Sequence, residues 1–529
     1  IFVNGIYLGY SELKSNYNNQ NASKNGRAKV IKDYREAALE YLKISENNDK
    51  SEFIRKQFLK IFEKAIHITS TDLEETYIIR NIADFFDEIK ATHNSGKFDF
   101  ENYQLSVQKN FKPYPLMNKE AGKRDKLKEI FTALYSKKMI EKEILYYNFI
   151  EREVVKRDKT REFKNQKGRL ISPRPNQKFG VDRIMSKIDE FLEHEDDDDY
   201  FINKLRTQLA DLSEDIRNRL INKRMKYLNN KYVYSLLLQY ATGFGKSNII
   251  GWAALQLKDL RRNGDYVYDK VMLIVDRLQL RDQLDRKMFN MNIDNRMYIE
   301  ATDKATFLNA LKSDIRIVIV NLQKFSTIRE ILESSVVEKL SQLRIVFLID
   351  EIHRSHTGEQ HDEMINLFDE LQDSFDKNEK YRKLRKKKNL IIGFTATPSD
   401  NSLARFGEYN KYAEGEKIWV PFDSYTMNEA IEDGYILNPL SGLVPVSAKM
   451  YYKEPEEIVK GVKDEQGQYK IVNKRIYENN ERIEAIAKFI VERVIQTTYR
   501  KIGGRGKAML ATASIASAIK YYDAIKRQW

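Results

Sequence analysis

The sequence contains no cysteine and no long apolar run. Without cysteine the chain forms no disulfide, thiolate zinc site or cysteine nucleophile, and it suits a reducing cytosol. No stretch approaches the ~20 consecutive apolar residues of a membrane-spanning helix, and no signal peptide opens the chain. We therefore expect a cytoplasmic protein without a membrane segment. The first residues, Ile1-Phe2-Val3, have a strand-like pattern, so we expect the true start to be missing.

Length and charge indicate a multidomain protein with a polyanionic partner. The 529 residues exceed the roughly 250–300 that one hydrophobic core supports. The formal net charge is +13, and the Lys and Arg residues are spread along the chain. Such a charge suits nucleic acid, although basicity alone does not identify the partner.

The N-terminal part, residues 1–154, mixes strand-like and helical patterns. Its first 14 residues alternate around a turn at Asn4-Gly5, Arg27–Lys43 has helical spacing, and Ala65–Thr69 has the pattern of a strand. Residues 155–170 are basic and lack hydrophobic periodicity, which predicts a linker. We therefore expect an α/β domain followed by a linker.

After the linker, apolar strand-like runs alternate with amphipathic helices. This alternation predicts a doubly wound parallel sheet over residues 171–415, and a second, incomplete α/β lobe over residues 416–529. The second lobe should contain a strand at Ala508–Ala513 and a helix at Ile515–Lys526. The acidic run Glu195–Asp199 favours a solvated loop, with a metal-binding cluster as the alternative. The strands predicted for the first lobe are Tyr234–Leu238, Val271–Val275, Ile315–Val320, Ile345–Ile349 and Ile391–Phe394.

The segment Leu236–Ser247 combines an apolar strand, a glycine-bearing turn and the start of a helix. In such a loop backbone amides hold phosphates, Lys246 can reach the β and γ oxygens, and Ser247 can ligate Mg²⁺. Tyr240 stands where the strict P-loop pattern has its first glycine. The segment nevertheless predicts an ATP site. Its expected binding residues are Thr242, Gly243, Gly245, Lys246 and Ser247.

The strand Ile345–Ile349 delivers two carboxylates at its carboxyl end, where α/β sheets bind ligands. Asp350 can hold Mg²⁺, and Glu351 can polarise the water that attacks the γ-phosphate. His353 is expected to connect the nucleotide with the coupling loop. A zinc site formed by the nearby histidines is the alternative, which the preceding P-loop disfavours.

Two further motifs accompany the P-loop and the acidic pair. The strand Ile391–Phe394 is followed by Thr395 and Thr397, whose hydroxyls can sense the γ-phosphate, and upstream Gln177 can make a two-bonded contact to adenine. In the order P-loop, Asp-Glu-x-His and Thr-Ala-Thr, these motifs resemble the superfamily-two helicase core. The resemblance implies RecA-like motor lobes whose loops, after Val275 and from Asn321, track DNA.

Glu12 and Lys14 are two positions apart on a predicted strand, so their side chains share one face. A carboxylate there can bind Mg²⁺, and the ammonium can orient the attacking water. A chance Glu-x-Lys pair on a surface strand is the alternative. Together with Asn4-Gly5, however, the pair resembles the PD-(D/E)xK-type nuclease domain of type I restriction motor subunits.

The likeness to type I restriction motor subunits covers nearly the whole chain. It implies a subunit that uses ATP and Mg²⁺ to pump double-stranded DNA, cuts it, and assembles with methyltransferase and specificity subunits. Two departures concern the nuclease: the upstream metal-binding Asp would precede Ile1, and Val30 or Asp33 occupies the region of a frequent glutamine. The segments that carry the likeness also include Asp350–Ser355, Gly393–Pro398, Tyr425–Met427, Ala430–Tyr435, Lys507–Leu510 and Tyr521-Tyr522.

Two other functions stay open. One is a helicase or remodelling ATPase that does not cut DNA, in which Glu12 and Lys14 are ordinary surface residues. The other is a DNA-binding scaffold with an inactive motor, which the presence of Lys246, Asp350 and Glu351 argues against.

Overall fold

The structure is a computed structural model whose residues form two compact units, Ile1–Ser441 and Gly442–Trp529. Each unit has its own hydrophobic core. The described residues are 1–3, 6–47, 59–80, 82–86, 89–90, 110–115, 123–157, 160–164, 168–194, 197, 199–227, 234–275, 278–291, 298–321, 343–352, 389–410, 418–438, 441, 462–463, 469–470, 478–495 and 507–529.

A mixed sheet and one long helix form the N-terminal part of the first unit. The strands are β1 (Phe2–Val3), β2 (Ile6–Tyr7), β3 (Gly9–Leu13), β4 (His67–Thr71), β5 (Thr76–Ile79) and β6 (Lys112–Pro113). The sheet order is β3-β4-β5-β6, with β3 and β4 parallel. The helix Arg27–Asn47 lies between these two strands in the chain and buries Val30, Ile31 and Tyr34 beside Phe62. The predicted helix is thus present and four residues longer than expected.

The predicted linker, residues 155–170, and the residues that flank it form paired strands. These are β7 (Phe149–Glu151), β8 (Val154–Arg157), β9 (Thr160–Phe163) and β10 (Arg169–Ile171). Antiparallel pairs join β8 to β9 and β7 to β10. The Phe163 ring lies 4.8 Å from the Phe289 ring, between centroids, so an aromatic contact outside the segment anchors the hairpin. Hydrophobic periodicity did not reveal these short strands because cross-strand hydrogen bonds and a few contacts to distant residues hold them, such as Phe163 on Phe289 and Phe149 on Trp252.

Seven of the remaining described strands of the first unit build the predicted parallel sheet, and the other four form two antiparallel pairs. In chain order, these strands are β11 (Tyr234–Tyr240), β12 (Arg261–Arg262), β13 (Asp265–Tyr266), β14 (Lys270–Val275), β15 (Tyr298–Ala301), β16 (Ile317–Asn321), β17 (Ile345–Asp350), β18 (Leu390–Thr395), β19 (Glu408–Tyr409), β20 (Trp419–Val420) and β21 (Asp423–Tyr425). The antiparallel pairs are β12 with β13 and β19 with β20. Seven strands pair in the order β15-β16-β14-β17-β18-β11-β21, and all six neighbouring pairs are parallel. The sheet therefore extends past residue 415, where we expected the second lobe to begin.

Both faces of the parallel sheet are buried, as a doubly wound arrangement requires. On β14, Leu273 and Val275 belong to one hydrophobic cluster, while Met272 and Ile274 belong to the cluster on the other face. Continuous apolar runs, rather than alternating ones, therefore encode these strands.

The described part of the first unit contains further α-helices. They are Lys123–Tyr135, Lys137–Lys142, Pro175–Glu193, Tyr200–Gln208, Glu214–Tyr227, Lys246–Asp259, Leu278–Asn290, Lys304–Lys312, Asp400–Phe406 and Met427–Glu432.

Among its described residues, the second unit has a short hairpin, β22 (Val462–Lys463) and β23 (Tyr469–Lys470), and two α-helices. The helices Asn480–Phe489 and Ile515–Gln528 pack through Ile483, Ala487, Tyr521 and Ala524. The predicted helix at 515–526 is thus confirmed. The predicted strand at 508–513 is wrong, because this segment is exposed and no described strand pairs with its backbone. A strand is stable only when a neighbour satisfies its amides and carbonyls.

A buried ion cluster joins the N-terminal sheet to the helix Pro175–Glu193. Lys178 Nζ lies 2.6 Å from Glu143 Oε1 and donates a further hydrogen bond to the Ala133 carbonyl, while His67 Nε2 lies 3.6 Å from the same Glu143 oxygen. Burial lowers the pKa of His67 to about 4, although the Glu143 carboxylate opposes this shift. Burial raises the pKa of Glu143, but the charge and the hydrogen bond of Lys178, together with the charge of Arg80, prevail and lower it. The cluster therefore holds a neutral imidazole beside an ion pair.

The free energy of unfolding is expected to fall as the pH drops from 6.5 to 4. Over this interval the unfolded chain protonates His67, whose ordinary pKa is 6.5, while the folded chain keeps it neutral. The loss should reach about 3 kcal/mol, and His67→Gln should remove that part of the pH dependence. Urea denaturation followed by tryptophan fluorescence at several pH values measures it. An unchanged slope in His67→Gln would contradict the assignment.

Candidate nucleotide and nuclease sites

The P-loop segment has the predicted strand, turn and helix. β11 ends at Tyr240, and the helix begins at Lys246. Gly243 and Gly245 have φ angles of +81° and +96°, in the left-handed region that favours glycine. A Cβ at Gly245 would also lie 2.8 Å from Gln177 Nε2. The turn thus presents backbone amides at a helix N-terminus, the arrangement that binds phosphate.

Phe244, inside the loop, is fully buried and anchors it. Its ring lies 4.3 Å from the Tyr425 ring, 6.0 Å from the Tyr240 ring and 6.2 Å from the Tyr435 ring, measured between centroids. The Arg174 guanidinium covers both Phe244 and Tyr435. Tyr240 occupies the position where the strict motif has glycine, and its ring therefore supports the loop by packing against Phe244. Sequence analysis missed this anchor.

Gln177 is buried and bonded to the P-loop. Its Nε2 donates to the Phe244 carbonyl at 2.6 Å, and its Oε1 accepts from the Arg174 backbone N–H at 2.7 Å. The second bond belongs to a capping box that begins the helix Pro175–Glu193. Gln177 thus lies beside the nucleotide loop as expected, and its contact with adenine stays a prediction.

The acidic pair lies at the carboxyl end of β17, opposite the P-loop lysine. Lys246 Nζ lies 3.4 Å from Glu351 Oε1, and the Glu351 N–H donates to Asp350 Oδ1 at 3.0 Å. Glu351 has a φ of +54°, an uncommon value for a residue with a side chain. Such strain clusters at functional sites because surrounding structure has to hold it. The two motifs, distant in sequence, thus meet at one sheet edge.

The neighbouring strand β18 ends beside the same edge. Thr395 is fully buried, and its hydroxyl accepts from the Thr397 N–H at 3.1 Å. Gln279, Arg281 and Gln283, which follow Val275 and are expected to track DNA, lie on the helix Leu278–Asn290. Gln283 brings its Nε2 to 3.5 Å from Ser247 Oγ, and the contact of these residues with DNA stays a prediction. His353, Asp276, Arg277 and the expected DNA-tracking residues after Asn321 lie outside the described residues.

The oxygen donors at this edge fit magnesium. Asp350 is 8% exposed, and Ser247 is half-buried at the start of the helix. Within the described ranges, no three His, Asp or Glu side chains are grouped to hold an ion by themselves. Mg²⁺ commonly binds through one or two protein oxygens together with substrate phosphates and water. Ser247 and Asp350 suit that mode of binding.

Glu12 and Lys14 meet at the edge of the N-terminal sheet. Lys14 Nζ lies 2.8 Å from Glu12 Oε1, and the two side chains are 13% and 19% exposed. β3 carries Glu12 opposite Ser70 of β4, and Lys14 follows directly after the strand. Solvent therefore reaches a carboxylate and an ammonium on one face, as the alternation predicted. Their role in DNA cleavage stays a prediction.

Two residues that the sequence did not identify as site residues surround Glu12. The Tyr10 hydroxyl donates to Asp33 Oδ2 at 3.0 Å and lies 3.4 Å from Glu12 Oε2. Burial raises the pKa of the Tyr10 phenol well above its ordinary value, and the carboxylates of Asp33 and Glu12 raise it further. The phenol thus remains a donor at neutral pH. Lys29 pairs with Asp33, Nζ to Oδ1, at 2.5 Å.

Comparison with known families gives the class that this chain resembles. Residues 219–458 match the family model described as SWI2/SNF2 ATPase. The P-loop, the acidic pair and β18 all lie inside the matched residues. The match therefore agrees with the ATP-site geometry and with the predicted superfamily-two core.

Among the described residues, no helix is both long and apolar enough to cross a bilayer.

More specifically, the chain is similar to endonuclease subunits of type I restriction enzymes. It is 25% identical over 315 residues to the Type I restriction enzyme SsaAORF53P endonuclease subunit of Staphylococcus saprophyticus, covering 58% of this chain and 28% of that protein. It is 24% identical over 318 residues to the SauCOLORF180P endonuclease subunit of Staphylococcus aureus strain COL, with the same coverage. The chain thus matches little more than a quarter of the relatives' length. The resemblance predicted from the motifs is confirmed.

Two solved helicase structures are also similar to parts of the chain. The UvsW helicase from bacteriophage T4 is 17% identical with a TM-score of 0.21, and covers 34% of this chain and 53% of its own. The DUF1998 helicase MrfA is 16% identical with a TM-score of 0.23, and covers 37% of this chain and 29% of its own. Scores this low carry no conclusion, so the fold rests on the parallel sheet itself.

Proposed function

We propose that this chain is part of the restriction subunit of a type I restriction-modification complex. The subunit is an ATP-driven double-strand DNA translocase and a magnesium-dependent endonuclease that cuts unmodified foreign DNA in the cytoplasm. The observation that carries the motor assignment is the meeting of Lys246 with Glu351 beside Asp350 at the carboxyl edge of the parallel sheet. The restriction assignment is supported by the relatives' names.

In the proposed motor, the amides of Gly243 to Ser247 bind the phosphates of ATP. Lys246 exchanges its contact with Glu351 for phosphate oxygens, which frees the carboxylate to orient the attacking water. Ser247 and Asp350 would hold Mg²⁺, which neutralises phosphate charge. Thr395, fixed against Thr397, senses the γ-phosphate from the adjacent strand. Gln177 contacts adenine, and its hydrogen bond to the Phe244 carbonyl also holds the loop in place.

In the proposed nuclease, Glu12 would hold Mg²⁺ and Lys14 orients the water that attacks the phosphodiester. Phosphate oxygens of DNA and water molecules would complete the coordination of the ion, because Mg²⁺ commonly binds through one or two carboxylates and keeps several waters. The net charge of +13 suits the DNA partner. Methyltransferase and specificity subunits supply the choice of target, as the relatives' description as type I restriction subunits implies.

DNA-dependent ATP turnover and triplex displacement test the motor. The full-length subunit, assembled with its partner subunits, is expected to hydrolyse ATP only with target-bearing double-stranded DNA and to displace a triplex-forming strand downstream. Lys246→Ala should lower turnover by about 10²–10³-fold, because it removes a charged donor to the transferred phosphoryl group. Turnover without displacement would contradict translocation, and full turnover in Lys246→Ala would contradict the site.

A further inference from the structure

Tyr10, Glu12 and Lys14 alternate along one chain segment and lie on one face of β3 and its extension. The two oxygens of the Glu12 carboxylate have different neighbours. Oε1 faces the Lys14 ammonium at 2.8 Å, and Oε2 faces the Tyr10 hydroxyl at 3.4 Å. The side chains two residues before and two residues after Glu12 thus set the plane of its carboxylate.

The Tyr10 hydroxyl is itself fixed from two directions. Its ring packs on the buried Phe62 ring, with centroids 5.1 Å apart, and its O–H donates to Asp33 on the helix Arg27–Asn47. Lys29, one turn earlier on that helix, balances the Asp33 charge. Hydrogen-bond donors and acceptors therefore alternate across the face: the ammonium groups of Lys14 and Lys29 lie at its two ends, and the neutral Tyr10 hydroxyl lies between the carboxylates of Glu12 and Asp33. On this face the Tyr10 phenol lies between the two carboxylates and contacts both of them.

We propose that Tyr10 is a positioning residue, which orients the Glu12 carboxylate for a divalent metal ion, and that Asp33 fixes the Tyr10 hydroxyl. The inference rests on the proposed nuclease function and adds residues outside the Glu-x-Lys pair. Groups that hydrogen-bond to a metal-binding carboxylate orient it, and removing one commonly weakens metal binding by about 10–100-fold. The phenol occupies that place at Glu12, because its single O–H proton is shared between Asp33 Oδ2 at 3.0 Å and Glu12 Oε2 at 3.4 Å.

Metal binding without catalysis is the direct test. Manganese binding to the full-length, nucleotide-free subunit is measured by the electron paramagnetic resonance signal of free Mn²⁺. The variants are Tyr10→Phe, which removes only the hydroxyl, and Glu12→Ala, which removes the carboxylate. The matched control is Tyr17→Phe, because Tyr17 lies in the same segment but is 90% exposed.

Tyr10→Phe is expected to weaken the Glu12-dependent Mn²⁺ binding by about tenfold, and to raise the Mg²⁺ concentration for half-maximal plasmid cleavage by a similar factor. Tyr17→Phe should match the unmodified protein in both measurements. Unchanged Mn²⁺ binding in Tyr10→Phe, with loss in Glu12→Ala, would overturn the role of Tyr10 alone. Equal Mn²⁺ binding in Glu12→Ala and unmodified protein would overturn the metal site at Glu12, and the proposed role of Tyr10 with it.

Discussion

Glu351→Gln, in the full-length subunit assembled with its partners, is expected to lower DNA-stimulated ATP turnover by about 10²–10⁴-fold while ATP still binds. Glutamine keeps the size of the side chain but cannot accept a proton from the attacking water. Phosphate binding depends on the loop amides and Lys246, which the substitution leaves in place. Single-turnover hydrolysis and equilibrium binding of a fluorescent ATP analogue separate the two effects.

The contact between Lys246 and Glu351 leads to a second expectation for this variant, which concerns its affinity for ATP. In the structure the two charges lie 3.4 Å apart, so each partly neutralises the other. Removing the carboxylate charge frees the ammonium for phosphate, and we expect ATP to bind at least as tightly in Glu351→Gln as in unmodified protein. Weaker binding would contradict this arrangement, because it would mean that Glu351 itself helps to hold the nucleotide.

The exposed Glu193 provides a control for Glu351→Gln. It is the last residue of the helix Pro175–Glu193 in the same unit, at the end opposite to Gln177, which contacts the P-loop. Glu193→Gln removes the same charge from the chain and should leave turnover unchanged. If both variants lost turnover equally, the removal of one negative charge from the chain would explain the loss. The hydrolytic role of Glu351 would then be contradicted.

The sequence predicted the parallel sheet well because burial on both faces demands uninterrupted apolar runs. β14 and β17 illustrate this, since each of their residues is buried and each was predicted within one residue of its observed bounds. The P-loop and the acidic pair were equally visible, because their residue types follow directly from phosphate and water chemistry. Their placement at strand ends then fixed which edge they share.

Other features depend on contacts that no local pattern contains. In the sequence Phe244 is only the residue between the two loop glycines. The fold brings the rings of Tyr425 and Tyr435 against it. The left-handed backbone at Glu351 likewise comes from its surroundings rather than its type. The predicted strand at 508–513 failed for the converse reason, because its apolar pattern lacks a described partner strand.

The nuclease face combines both cases. The alternation of Glu12 and Lys14 correctly predicted that their side chains meet, since period-two geometry is local. The sequence did not place Asp33 beside them, because the helix Arg27–Asn47 returns to the face of β3 only through the packing of Tyr34 and Phe62. A motif search along the chain therefore finds the pair and misses what orients it.

Glu12→Ala is expected to abolish plasmid cleavage, at least roughly 100-fold, in the assembled full-length subunit. The loss should exceed that of Tyr10→Phe, because Glu12 is proposed to contact the metal and Tyr10 only orients it. DNA-stimulated ATP turnover should stay unchanged, since Glu12 belongs to the N-terminal sheet, whereas Lys246 begins the helix that follows β11 of the parallel sheet. Cleavage of a target-bearing plasmid and ATP turnover are measured in the same reactions.

Glu36→Ala is the matched control, because Glu36 lies on the helix Arg27–Asn47 and its side chain is 58% exposed. It forms only a surface pair with Lys32, of the kind that contributes little to stability. If Glu12→Ala loses cleavage and keeps turnover while Glu36→Ala keeps both, nuclease and motor are separate sites on one subunit. If Glu12→Ala still cuts, the Glu-x-Lys pair is an ordinary strand surface and the chain's chemistry is confined to the motor. If Glu12→Ala loses turnover as well, the N-terminal sheet instead contributes to the structure or assembly that the motor requires.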